Sequence, residues 1–402
     1  MIPNDITVVI ETWPYNAEQV ERAALSVTSL ASRIILLGAE GAQGPLSSFQ
    51  QGMVEWAAVP WHGDFSAWRN RLLSSLDTDW VLWLYGNEQF VRIDARTLVE
   101  AAGGYKRTGF RLSVADATSR SRLGTDPVRL FPRGGAVRFS GRLVPAIGGA
   151  LAEFGYAVED LPVRIDCPDG RGPRGQRKQW ENFVVKHLEG QLSQSPESRI
   201  KLATVYAGAQ EWDLATQRIE ESQSTITQLG DSWRLQFLWV RAYIATKRGQ
   251  LETAESQLAA AVKEYPYSTD LLFLYGTVLF ELQKHDASYA TLLEALTQGE
   301  DLVLYSEAGA GSYLCRRWLA KIQTARQRYK EAVKEYMNLL EQYPFYRSVW
   351  IELLEILDGS SPREIVDLLS LVMSKNQMRA YLAKQSYLSP IEAQLRDWLD
   401  QD

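Results

Sequence analysis

The chain has 402 residues, 46% of them hydrophobic, which is too long for one small core and ample for two domains. Its 43 lysines and arginines against 49 aspartates and glutamates leave a net charge of −6. That balance gives no electrostatic basis for binding nucleic acid or an anionic membrane, so protein or small-molecule partners are expected. Cys167 and Cys315 are far apart, and His62, His187 and His285 are scattered, which argues against a disulfide framework, a zinc site and a histidine-based triad.

The first residues carry no basic stretch followed by an apolar one, and no run of about 18 apolar residues occurs anywhere. The chain therefore reads as cytoplasmic, without a transmembrane segment. In chain order, the pattern predicts a strand over residues 6–10, an amphipathic helix over 17–30, strands over 34–37 and 54–59, a helix over 65–76 and a buried strand over 80–84. Strands alternating with helices imply a mostly parallel sheet wound in βαβ units. Ligands of such sheets bind at the carboxyl ends of the strands, which here are residues 11–16, 38–44 and 85–88. The glycine-rich stretch 38–44 matches no phosphate-loop signature and reads as an ordinary turn.

Residues 170–195 form a basic stretch, with Arg171, Arg174, Arg177 and Lys178 set among Gly170, Gly172, Pro173 and Gly175, followed by a connecting helix. Its composition is that of a solvated linker. From residue 196 the pattern repeats. Leu238, Ala242, Ala254, Leu258 and Ala261 recur 34 positions later as Leu272, Gly276, Ser288, Leu292 and Ala295. That is the tetratricopeptide period, in which small residues let two antiparallel helices touch and large ones fill the layer between hairpins. A later copy is Leu319, Ala320, Ala332, Tyr336 and Leu339, with ten extra residues falling in 299–311. An earlier one is Leu202, Ala203, Tyr206, Ala215 and Ile219, with five added near 228–231. Such additions are tolerated between hairpins. Pro266 and Pro344 follow the ends of second helices, and the tail from 345 reads as capping helices.

In this architecture the first helices line a groove, placing Trp239, Tyr243, Phe273, Thr277, Phe280, Arg317 and Lys321 inward. Domains that clamp an acidic peptide C-terminus resemble one another in carrying Lys, Asn and Arg there. Here the fifth positions of the first three repeats are Ile200, Trp239 and Phe273. Aromatic walls suit a protein partner offering an apolar helix or an extended segment. Packing of Trp239 and Phe273 against the N-terminal half accounts for them equally.

Several segments carry a family resemblance. They are Val8-Val9-Ile10 with Tyr15-Asn16 and Leu25-Ser26; Asp64-Phe65-Ser66-Ala67-Trp68-Arg69-Asn70; and Asp79-Trp80-Val81-Leu82-Trp83-Leu84. Val128-Arg129-Leu130-Phe131-Pro132, Val137-Arg138-Phe139 and Gly141-Arg142-Leu143 continue it. Together, over nearly the whole chain, they resemble the GT-A-fold glycosyltransferases of family 2, in the bacterial subgroup with tetratricopeptide repeats behind the catalytic domain. The resemblance implies an α/β GT-A-like (Rossmann-like) domain over residues 1–169, a linker over 170–195 and an all-α tetratricopeptide-repeat solenoid over 196–402. It further implies a nucleotide pocket involving Glu11, Thr12, Asp64, Arg69 and Asn70. Asp64 as a helix N-cap, and Arg69 and Asn70 as a buried hydrogen-bonding pair between helix and sheet, account for these residues equally.

The family's chemistry needs a Mg²⁺ or Mn²⁺ ion on an Asp-x-Asp triplet, to neutralise the diphosphate leaving group of the nucleotide-sugar. Here that triplet is Tyr85-Gly86-Asn87, and only Glu88 of the following acid remains. Gly38 replaces a nucleotide-binding Asp, Val144-Pro145 replaces a His-Glu pair, and Cys167-Pro168-Asp169-Gly170 stands in a "HYG"-like loop. The expectation is a catalytically silent domain without metal or cofactor, serving as an adaptor or regulatory scaffold, with glycan-assembly proteins among the possible partners. The alternative is an active enzyme moving a sugar to a glycan, lipid or protein acceptor, with the metal or the Arg171 to Lys178 cations on the diphosphate. A third reading keeps nucleotide or sugar binding without turnover.

Overall fold

The computed structural model describes residues 6–13, 15–39, 53–90, 95–104, 107–116, 128–140, 147–167, 196–300, 307, 309–383, 385 and 387–401. The chain divides into two compact units, one drawn from Met1–Leu151 with Ala157–Val240, the other from Ala152–Tyr156 with Arg241–Asp402. No described helix is long and apolar enough to cross a membrane.

The first unit is built on strands β1 (Ile6–Glu11), β2 (Arg33–Ala39), β3 (Val54–Val59), β4 (Trp80–Tyr85), β5 (Gln89–Phe90), β6 (Thr108–Asp116), β7 (Val128–Pro132) and β8 (Ala157–Cys167). They form an eight-stranded sheet in the order β3-β2-β1-β4-β7-β6-β8-β5. The block from β3 to β4 is parallel, as the alternation of strand and helix predicts. Strand β7 then pairs antiparallel to both β4 and β6, while β6 pairs parallel to β8. Helices α1 (Ala17–Val27), α2 (Phe65–Ser75), α3 (Ala95–Gly104) and α4 (Gly148–Glu153) lie between these strands in sequence.

Strand β1 is buried along its whole length and β4 along all but its last residue, which is why both are mostly apolar rather than alternating. Ile6, Val8 and Ile10 meet Val20, Ala24 and Val27 of α1 in one apolar cluster. A capping box between Asn16 and Gln19 starts α1. The structure corrects one expectation: Gly38 lies inside β2 rather than in a turn. The indole of Trp56 lies across it, and an added Cβ would stand 2.2 Å from that ring, so the glycine makes room for a neighbour's side chain. Residues 40–44 of the same stretch are outside the described residues.

The remaining helices are α5 (Pro196–Gly208), α6 (Trp212–Ser222), α7 (Asp231–Lys247), α8 (Leu251–Glu264), α9 (Thr269–Glu281), α10 (His285–Gln298), α11 (Tyr313–Ala325) and α12 (Tyr329–Gln342). In sequence they form four successive helix pairs, of which α5 with α6, α9 with α10 and α11 with α12 pack against each other as hairpins. The small residues read from the repeat, Ala203, Ala215, Ala242, Ala254, Ser288, Ala320 and Ala332, are all 0% exposed. In the third hairpin Ser288 Oγ donates to the Gly276 carbonyl at 2.7 Å, and Gly276 makes room for Leu292, whose Cγ would lie 2.5 Å from an added Cβ.

Each hairpin also turns in the same way. Gln210, Gly249, Gln283 and Gln327 have φ of 65°, 73°, 58° and 59°, the left-handed conformation. The next residue's N–H closes back on the helix, as in Glu211 to Tyr206 (2.9 Å), Gln250 to Ala245 (3.0 Å), Lys284 to Leu279 (2.9 Å) and Arg328 to Gln323 (2.8 Å). This is the Schellman closure of a helix end. A 3₁₀ turn over Gln223–Gln228 fills the first long connection. Helices α13 (Arg347–Ile356), α14 (Pro362–Leu369), α15 (Lys375–Ala383) and α16 (Pro390–Gln401) follow the fourth hairpin.

Candidate functional site

The carboxyl ends of β1 and β4 lie side by side, with Glu11 in register opposite Tyr85. In an open parallel sheet this is where a ligand binds. Helix α2 starts at Asp64, whose carboxylate accepts the Ala67 N–H at 2.9 Å, and its first turns carry Arg69 toward that edge. The Arg69 guanidinium forms an ion pair with Glu11, and Arg69 Nη2 donates to the Tyr85 hydroxyl at 3.0 Å. Trp83 Nε1 donates to the same Glu11 carboxylate at 2.8 Å. The guanidinium also stands 5.0 Å from the Phe139 ring centroid. Burial works against the charge on Arg69, but Glu11 and Tyr85 beside it hold the guanidinium above its ordinary value.

A second pair lies next to the first. Arg129 of β7 donates from Nη2 to Glu88 Oε1 at 2.9 Å and from Nη1 to the Trp83 carbonyl at 3.2 Å. The other Glu88 oxygen accepts the Tyr85 N–H at 3.0 Å, and the Glu88 N–H returns to the Tyr85 carbonyl at 2.9 Å. The two side chains of this pair are 2% and 1% exposed. Burial pushes the Glu88 carboxyl up from its ordinary value, and Arg129 pulls it back. Arg129 is also stacked 4.6 Å over the Tyr85 ring. Tyr15 leans on Tyr85 from α1's side with ring centroids 6.4 Å apart, and burial raises its pKa well above the usual phenol. Gly86 is pressed on from the same side: an added Cβ would meet Val20 Cγ2 at 2.8 Å and Tyr15 at 2.9 Å.

The sequence-derived candidates therefore separate. Glu11, Arg69, Tyr85 and Glu88 meet in one network of ion pairs and hydrogen bonds. Thr12 donates to the Leu37 carbonyl at 3.0 Å, tying the end of β1 to β2. Asn70 exchanges two 2.8 Å hydrogen bonds with the backbone of Phe139. Asp64, as above, caps α2. The cap at Asp64 is the structural alternative that the sequence left open for it. The residues at 85–88 do not fit a divalent cation bridged to a diphosphate. The Glu88 carboxylate has a guanidinium on one oxygen and a backbone amide on the other, and Asn87 carries no charge. Among the described residues no three His, Cys, Asp or Glu side chains are grouped to hold a metal ion. Residues 144, 145 and 168–178 lie outside the described residues.

Arg129, Trp83 and Tyr15 complete the network and were not anticipated. Arg129 was visible as a lone charge inside the apolar segment Val128 to Phe131, a pattern that calls for a buried partner.

In the repeats, the structure corrects the groove expectation for two residues. Trp239 and Phe273 are 2% and 6% exposed, so neither forms an open wall. Phe273 packs with Leu292, Ala310, Cys315 and Leu319, because its position on α9 faces the next hairpin. Tyr243, Thr277 and Phe280 are half-buried. Phe280 meets the Trp318 ring at 5.4 Å. Arg317 binds Glu352 of α13 through Nη2 at 2.8 Å, and Lys321 lies 3.8 Å from the same carboxylate. Both groove cations are thus engaged by an acid of this chain.

No protein-family model matches this sequence, and no curated protein matches it. Several solved structures with similar stretches are described as tetratricopeptide-repeat proteins. One, from Thermus thermophilus, is 20% identical, covering 45% of this chain and 90% of that one at a TM-score of 0.35. Another, from Parabacteroides merdae, is 14% identical, covering 56% and 92% at a TM-score of 0.38. A third, YrrB, described as a tetratricopeptide protein with an unusual peptide-binding site, is 14% identical, covering 43% and 88% at 0.34.

Proposed function

We propose that this chain is a repeat scaffold for a protein partner, joined to a glycosyltransferase-like GT-A domain whose donor cleft is closed by its own side chains. The observation that carries this reading is the pair of buried ion pairs, Glu11 with Arg69 and Glu88 with Arg129, at the ends of β1 and β4. A catalytic cleft for a nucleotide-sugar needs uncommitted carboxylates for the cation and room for the diphosphate. Here each carboxylate is bound to a guanidinium, and the rings of Tyr15 and Tyr85 meet beside them with centroids 6.4 Å apart. The likeness to a glycosyltransferase rests on the segments named above and on the parallel block β3-β2-β1-β4.

The direct functional test is turnover. Across a panel of nucleotide-sugars with Mg²⁺ or Mn²⁺, no donor hydrolysis above background is expected. Hydrolysis that disappears in Glu88→Ala would instead establish the active enzyme.

A further inference from the structure

The second compact unit contains five residues, Ala152–Tyr156, the last two of α4 and the three that follow, which are remote in sequence from the rest of it. Three consecutive residues of this segment each make a different kind of contact. Glu153 accepts hydrogen bonds from the Ser348 hydroxyl and, at 3.3 Å, from the Ser348 N–H in the first turn of α13. That helix has no side-chain cap of its own, since Tyr346 stands at its N-cap. The Glu153 carboxylate supplies the missing acceptor at the positive end of the helix.

Phe154, 5% exposed, is inserted among three tyrosines. Its ring lies 5.1 Å from Tyr313, 5.4 Å from Tyr343 and 4.6 Å from Tyr346, the first two edge-on. Edge-to-face packing is the favoured geometry for such rings. Gly155 has φ of 70° and sits so close to Phe345 that an added Cβ would lie 1.9 Å from it. A side chain at this place is excluded both by conformation and by space.

The repeat shows that this cup is special to one place. Tyr313, Tyr343 and Tyr346 occupy the start of a first helix, the end of the second and the start of the next. The corresponding positions hold Leu235, Tyr265 and Ser268 in the second hairpin, and Thr269, Gly299 and Ser312 in the third. Among the described residues of these three hairpins, only the last brings three aromatic rings together at these positions.

We propose that the end of the fourth hairpin is a docking site for a short Glu-Phe-Gly segment, and that this chain fills it with its own residues 153–155. The kind of partner it fits is a protein presenting an acidic residue, an aromatic residue and a glycine in a tight loop. This site shares no residue with the cleft of the sheet, so either proposal can fail without the other. A segment carried on the same chain holds the cup at a high effective concentration, which an external peptide must overcome.

The test uses the full chain and a fluorescent peptide of residues 148–160. The wild-type chain is expected to bind it weakly, and Phe154→Ala, which removes the ring from the cup and loosens the segment's hold on it, at least tenfold more tightly. Adding Tyr343→Ala, or changing the phenylalanine of the peptide to alanine, removes the gain. Should Phe154→Ala lose its helical circular dichroism, Phe154→Leu, which keeps most of the apolar volume, is read in the same way with a smaller gain. Equal binding by the wild-type and vacated chains, or no binding to either variant, overturns the proposal.

Discussion

Arg129 and Glu88 show what a buried ion pair implies for a single substitution. Removing one member leaves the other charge stranded without solvent, whereas replacing both with neutral groups of similar volume is often tolerated. With both side chains almost fully enclosed, Arg129→Met is expected to destabilise the first unit by about 3–5 kcal/mol. Glu88→Gln combined with Arg129→Met should recover most of that loss, read as urea midpoints of the three proteins. His62 gives a second expectation. Its Nε2 meets Ser232 Oγ at 2.8 Å, while Nδ1 faces an Arg71 donor at 3.1 Å and so must accept. Burial first, then Arg71 and Lys201, lower its pKa from 6.5 to about 3. Between those values the unfolded chain takes up a proton that the folded chain refuses. Stability from this residue is therefore complete above pH 6.5 and is lost as the pH falls toward 3, at up to about 1.4 kcal/mol per pH unit. Denaturation curves from about pH 7 to about pH 4 should show a flatter acid limb in His62→Asn than in the unaltered chain. At this scale the sequence named Glu11, Arg69, Tyr85 and Glu88 but not their bonds. Partners such as Trp83, 72 positions from Glu11, are set by strand register, which no local pattern records.

Between elements, legibility followed the strength of the local signal. Strands β1 to β4 were readable because they are short apolar runs bounded by turn residues. Strand β8 was not, because Pro162 interrupts its alternation. The structure accommodates the proline where the register of β6 and β8 skips, between Leu112 opposite Leu161 and Ser113 opposite Arg164. The repeat was legible at single-residue accuracy because helix contact demands small side chains at fixed spacing. Gly276 is the tightest case, since an added Cβ would stand 2.5 Å from Leu292 Cγ. Gly276→Ala should accordingly destabilise the second unit by about 1–3 kcal/mol despite alanine's better helix propensity, as a lower thermal midpoint would show. The groove residues were less legible. Period alone places Phe273 and Arg317 on an inner face, but Phe273 packs against Cys315 and Leu319, and Arg317 is bound by Glu352.

For the whole molecule, the change of pattern at residue 196 marks a change of secondary structure rather than a break between compact units. The first hairpin and the start of α7 belong with the sheet, while Ala152–Tyr156, the last two residues of α4 and the three that follow, belong with the later repeats. Contacts remote in sequence decide this, and composition does not register them. A repeat scaffold joined to a closed α/β cleft makes one prediction that separates it from every catalytic account. Isothermal titration of the full chain with UDP and UDP-sugars, in the presence and absence of Mn²⁺, should give no saturable heat. Tight, Mn²⁺-dependent binding that is lost in Glu88→Ala would contradict it.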